Sequence, residues 1–115
     1  MKLVIAIIQP TKLNAVREAL EKVEVHRMTV CDSQGFGQQR GRSGSGSQLP
    51  SSPVLIRKIV LEIVVNNDFL KRTVETIAEV ARTGPRGTVG DGKIFVLSAE
   101  QAVQVDDAFR GPGAV

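Results

Sequence analysis

The chain has 115 residues, 42% of them apolar, with a formal net charge of +3 and a mean hydropathy of +0.01. That composition describes one globular domain with a modest core, and no apolar run approaches the roughly 18 residues that a membrane-crossing helix needs. With no Trp or Tyr and only four Phe, the chain lacks a base-stacking platform, and nucleic acid is not an expected partner. The lone Cys31 excludes an internal disulfide and fits a cytoplasmic protein. Its β-branched neighbours Thr29 and Val30 suit packing better than nucleophilic chemistry.

Lys2 to Ile8 predicts a buried strand, apolar on both faces. Pro10 ends it, and Thr11 can cap a helix whose stripe is Leu13, Val16, Leu20 and Val23. Val25 to Cys31 predicts a second strand with His26 at its surface, leading into Gly35-Phe36-Gly37. Residues 38–52, QQRGRSGSGSQLPSS, contain no acid and almost nothing apolar. Such a segment cannot bury enough surface to order itself and predicts a long mobile loop within the domain. Val54 to Val65 is a long strand carrying Lys58 and Glu62, which are expected to pair with each other. Asp68 can cap a second helix with the apolar face Leu70, Val74, Ile77, Ala78 and Ala81. A strand from Lys93 to Leu97 follows, then a short last strand from Ala102 to Val105, and a loose tail over about 107–115.

Between the second helix and the Lys93 strand lies the densest chemical signal, TGPRGTVGDGKIFV. Gly84, Gly87, Gly90 and Gly92 fall within nine residues of one another, with Asp91 between the last two and Lys93 next. Successive backbone N–H groups in such a run can turn inward and make a nest for an anion such as phosphate. A plain glycine-rich turn into a strand is the competing reading. Gly87 to Lys93 satisfies G-x-x-x-x-G-K, but Ile94 stands where a magnesium-binding hydroxyl is required and a strand follows instead of a helix. It is not a Walker A loop.

The order β-α-β, long loop, β-α-β predicts an α+β, ferredoxin-like βαββαβ sandwich with two helices on one face of an antiparallel sheet. Gly35-Phe36-Gly37-x-Gln39, the polar loop, Lys58 ahead of Glu62-Ile63-Val64-Val65, and Gly90-Asp91-Gly92-Lys93-Ile94-Phe95-Val96 together resemble the PII nitrogen-regulatory signal transducers. The resemblance runs from Met1 to about Val105. It implies a compact homotrimer with adenine nucleotides in the clefts between subunits, next to a T-loop (about 37–54) and a glycine-rich B-loop (about 83–92). Carried over, Met28, Thr29 and Val64 line the adenine side. Gly35, Phe36, Gly37, Gln38 and Gln39 form the T-loop base at the phosphates, and Arg86, Gly87, Gly90, Asp91, Gly92 and Lys93 hold them from the other side. Gln39 matches a magnesium ligand, and Lys58 matches the lysine that pairs with a carboxylate of 2-oxoglutarate; both belong to the effector site.

The chain departs from the family pattern in ways that bear on the ligand. Gln38 replaces a usual basic residue, and Gln104 and Asp106 stand where an R-x-R pair clamps phosphates. The loss amounts to several charged hydrogen bonds at roughly 1.5–3 kcal/mol each, in part restored by Arg86 and Arg110, so ADP or AMP is favoured over ATP. Ser51 matches the uridylylated tyrosine, and Ser47 the arginine that enters an ammonium channel. Arg40 and Arg42 leave the T-loop cationic, suited to an acidic target protein or a small anion. A carbon-linked regulator responding to bicarbonate, tied to inorganic-carbon uptake or carboxysomes, is an alternative, as is a structural trimer with a decayed nucleotide site. The single His26 offers no paired catalytic groups, so an enzyme is not expected.

Overall fold

The computed structural model describes residues 1–37 and 54–115. Four strands, β1 (Lys2–Ile8), β2 (Thr29–Gly37), β3 (Val54–Val65) and β4 (Gly92–Ser98), and two helices, α1 (Leu13–Lys22) and α2 (Asn67–Ala81), follow in the order β1-α1-β2-β3-α2-β4. The sheet order is β2-β3-β1-β4 with every neighbouring pair antiparallel. This is the expected βαββαβ sandwich. None of the described helices is long and apolar enough to cross a membrane.

Alternation decides which face is covered. Val4, Ala6 and Ile8 of β1 and Ile59, Leu61, Ile63 and Val65 of β3 point toward the helices and are buried. Val16 and Leu20 of α1 and Ile77 and Ala81 of α2 close over them. The buried hydroxyl of Thr73 donates to the Phe69 carbonyl at 2.7 Å, so the core holds no unsatisfied side-chain polar atom among the described residues. On the opposite face Leu3, Ile5, Ile7, Val60, Val64, Phe95 and Leu97 share one side of the sheet by register. None of the described helices covers them, and Phe95 and Leu97 are 48% and 47% exposed.

Three local expectations are corrected. β2 runs from Thr29 to Gly37, not from Val25 to Cys31. A left-handed Glu24 (φ 66°) and the bond from the Val25 amide to the Leu20 carbonyl draw Val25 under the helices. Farther along, pairing with Val54, Leu55 and Ile56 keeps the turn-like Gly35-Phe36-Gly37 extended. Asp68 lies in the first turn of α2, where the helix dipole favours a carboxylate, while Asn66 holds the cap position. The predicted strand from Ala102 to Val105 is absent. The chain instead doubles back through a left-handed Ala108 (φ 57°), leaving one bridge between Val103 and Arg110 and a 3-10 turn over Pro112–Ala114.

Candidate functional site

The glycine-rich loop is braced from within. One oxygen of the Asp91 carboxylate (Oδ2) accepts from the Thr83 amide at 2.9 Å and from the Thr88 amide at 2.8 Å. The other (Oδ1) accepts from the Thr83 hydroxyl at 2.6 Å. These bonds stabilise the ionised carboxylate, so the Asp91 pKa falls from 3.8 to about 2, led by the Thr83 amide and with Lys12 contributing from a distance. Turned onto its own loop, Asp91 shapes that loop while its charge is engaged by internal donors. Arg86 and Lys93 are exposed around the loop, and Lys12 reaches back to the Arg82 carbonyl at 3.5 Å.

Because the folded-state pKa is depressed, the Asp91 contribution is fully present above about pH 4 and is lost as pH falls through about 2. Asp91→Asn is expected to loosen the loop and cost about 1 kcal/mol, a value reduced for solvent screening. The deficit relative to wild type should narrow in acid titration of the two proteins below pH 4. A constant difference across that range would refute the assignment.

Gly92 is the position where the loop must pass tightly. Its φ is +134°, and a Cβ there would lie 1.8 Å from the Ile7 carbonyl oxygen. Only glycine lets β4 start its pairing with β1 directly out of the turn. The ammonium of Lys58, at a half-buried position on β3, donates to the Gly90 carbonyl at 2.6 Å. The expected Lys58–Glu62 pair is therefore corrected. Four residues apart on one strand, the two sit about 13 Å from each other along it, and Lys58 is engaged by the loop instead.

The structure brings Lys58, Gly90, Gly92 and Lys93 to one end of the sheet, with Gly35 and Gly37 of β2 beyond them opposite Ile56 and Val54. Phe36, between those glycines, is 74% exposed. Gln38 and Gln39, like the other T-loop residues through Pro53, lie outside the described residues. Met28, Thr29 and Val64 are elsewhere. Thr29 pairs with Glu62 whereas Gly35 pairs with Ile56, so six residues of β3, about 20 Å, separate the two groups within one chain. Met28, Thr29, Glu62 and Val64 line a cleft of about 310 Å³ together with Ala114 and Val115.

Sequence reasoning missed the parts that brace the site. Thr83 and Thr88 were legible only as loop composition, and Lys12 lies 70 residues from the Arg82 carbonyl it meets. No local pattern joins them. Among the described residues no cluster of three or more His, Cys, Asp or Glu could hold a metal ion.

Comparison with known proteins identifies the family. The family model "Nitrogen regulatory protein P-II" matches residues 1–108. The chain is 42% identical over 115 residues to nitrogen regulatory protein GlnK1 of Methanosarcina mazei, covering all of this chain and 97% of that protein. It is 44% identical over 115 residues, with the same coverage, to nitrogen regulatory protein P-II 1 of Methanothermobacter thermautotrophicus. It is 40% identical over 105 residues to nitrogen regulatory protein P-II of Rhizobium etli, covering 91% of each chain. The chain accordingly belongs to the P-II family of nitrogen-regulatory signal-transduction proteins.

Proposed function

We propose that this protein senses an adenine nucleotide and a small anion and reports them through the conformation of residues 37–54. The observation that carries the reading is the 2.6 Å bond from Lys58 to Gly90. It makes the lysine expected to meet an anionic effector contiguous with the loop expected to hold phosphate, so one ligand can alter the other's contacts. An anion that attracts the Lys58 ammonium withdraws a donor from the loop, which is the kind of differential contact a ligand switch requires.

The site needs more than one copy of the chain. The adenine-side and phosphate-side residues are about 20 Å apart within one protomer, farther than one nucleotide base and its phosphates bridge comfortably. The uncovered sheet face bearing Leu3, Ile5, Phe95 and Leu97 supplies an apolar surface on which copies can pack. A homotrimer, with each cleft completed by a neighbour, satisfies both demands. Arg86 and Lys93 then serve the phosphates, with ADP or AMP favoured because Gln104 and Asp106 supply no cation. Gln39 would hold magnesium.

Isothermal titration with ATP, ADP and AMP, each with and without 2-oxoglutarate or bicarbonate, tests this reading. Nucleotide binding whose affinity changes with one of the two anions supports it, and the responding anion identifies the signal. Absence of binding by all three nucleotides overturns it. Lys58→Met removes the donor that the anion would withdraw, so it is expected to abolish the effect of the anion and to hold nucleotide affinity near the anion-bound value of the wild type. An undiminished anion effect in that variant removes Lys58 from the effector site.

A further inference from the structure

Lys12 stands where its residue type is locally disfavoured. It occupies the cap position of α1, at the end of the 3-10 turn Pro10–Lys12, and makes no side-chain capping bond. That position prefers Ser, Thr, Asp or Asn, and the positive end of the helix dipole disfavours a cation. The first turn of α1 holds no acid to offset it. A half-buried lysine that breaks the local rule points to a role set outside its own element.

The compensation lies at the end of α2. That helix closes at Ala81 with no basic residue in its last turn, so the negative end of its dipole has no cation of its own. The Lys12 ammonium meets the Arg82 carbonyl, just past that end, at 3.5 Å. Its charge also acts on the Asp91 carboxylate. Arg82 and Asp91 flank the glycine-rich loop, and the two bonds from Thr83 to Asp91 draw those flanks together into a neck. One cation from the start of α1 thus faces both the departure of the loop from α2 and its return toward β4. The neck is packed against the body of the loop, because a Cβ at Gly87 would lie 3.2 Å from Cγ of Arg82.

We propose that Lys12 is a positioning residue for the glycine-rich loop, holding the neck so that the loop amides face the phosphates of the nucleotide. The inference rests on the adenine-nucleotide reading given above. Lys12 acts without touching the ligand, since its ammonium is taken up by the Arg82 carbonyl. Its part differs from that of Lys58, which reaches the loop from β3 at Gly90. Lys58 is the contact that an anion withdraws, whereas Lys12 keeps the neck in place while the rest of the loop responds. A nest of amides binds an anion only when the amides converge, and a loop free to swing at its neck spends part of its time with them turned away.

The test compares the full-length wild type with Lys12→Met, which removes the charge, and Lys12→Arg, which keeps it. Titration with ADP should show binding about tenfold weaker in Lys12→Met and within about twofold of wild type in Lys12→Arg. Amide hydrogen exchange without ligand separates positioning from general stability. In Lys12→Met, exchange should quicken at Thr83 and Thr88, whose amides bond Asp91, and stay unchanged at Leu61 and Ile63 in the core. If the wild type binds ADP but Lys12→Met binds it equally well, or both variants are equally weak, the assignment is overturned while the nucleotide reading stands. Unchanged exchange at the two threonines overturns it as well, as does quickening at Leu61 and Ile63 of the same size, which would mark a loss of general stability. If the wild type binds no ADP, the nucleotide reading fails and the positioning role fails with it.

Discussion

Gly92→Ala is expected to destabilise the protein by about 3 kcal/mol or more. Two causes act together. The backbone at Gly92 has φ +134°, which an L side chain rarely adopts, and the new methyl would meet the Ile7 carbonyl oxygen at 1.8 Å. Neither obstacle is the flexible end of a side chain, so relief requires the β1–β4 pairing to separate where Ile8 faces Gly92. That separation also carries Asp91 away from Thr83 and Thr88, whose amides it joins. Chemical denaturation measures the loss, and nucleotide titration should show the phosphate side failing with it. A variant within 1 kcal/mol of wild type would mean that the loop leaves the turn by another path.

Leu97→Asp is expected to have the opposite profile, with a small effect on the fold of one chain and a large one on assembly. Leu97 lies on the edge strand β4, opposite Leu3 on the uncovered face, and is 47% exposed in the single chain. A carboxylate there remains solvated when the chain is alone, and buried without a partner when copies pack, which costs several kcal/mol per site. Light scattering should show the wild type at three times 12.4 kDa and the variant shifted toward the single-chain mass with its circular dichroism unchanged. A variant that stays trimeric would place the subunit interface elsewhere. Nucleotide affinity should fall in parallel with assembly if a neighbour completes each cleft.

Much of the molecule was legible in order along the chain. The strand at Lys2–Ile8 and the strand at Val54–Val65 lie at the residues expected, because both are central and their apolar runs are bounded in sequence by Pro10, Pro53 and Asn66, the cap of α2. β2 was misplaced for the converse reason. It is an edge strand whose sequence, Thr29 to Gly37, has little propensity of its own, and its extent is decided by pairing with β3. The short strand expected at Ala102–Val105 failed because a strand needs a partner edge. The chain instead pairs the Gln104 amide with the Phe109 carbonyl and the Ala102 carbonyl with the Gly111 amide on its own return.

The site divides along the same line. Spacing alone marked Gly87, Gly90, Gly92 and Lys93 as a place where backbone amides could meet an anion, since glycine removes the steric bar to such a turn whatever surrounds it. Asp91 stood out by position only. Its work is to accept three bonds from Thr83 and Thr88, a geometry set once the loop is closed. Lys58 was expected beside Glu62 because charge and proximity in sequence suggest a pair, but a strand holds residues four apart at a distance that no salt bridge spans. Only the sheet brings Lys58 under Gly90, 32 positions away.

What the sequence determined by itself is what depends on local sterics and on the period of burial: the two helices, the two central strands, the antiparallel sandwich, and a glycine-rich loop fit for an anion. What the tertiary structure decided is every relation between residues distant along the chain. It separated Met28, Thr29 and Val64 from the glycine-rich loop within one protomer, joined Lys58 to that loop, and folded residues 109–115 onto the start of α2. The physical reason is that contact between distant segments is selected by which closed arrangement buries the apolar faces and leaves no backbone group unpaired. That selection acts on the whole chain at once.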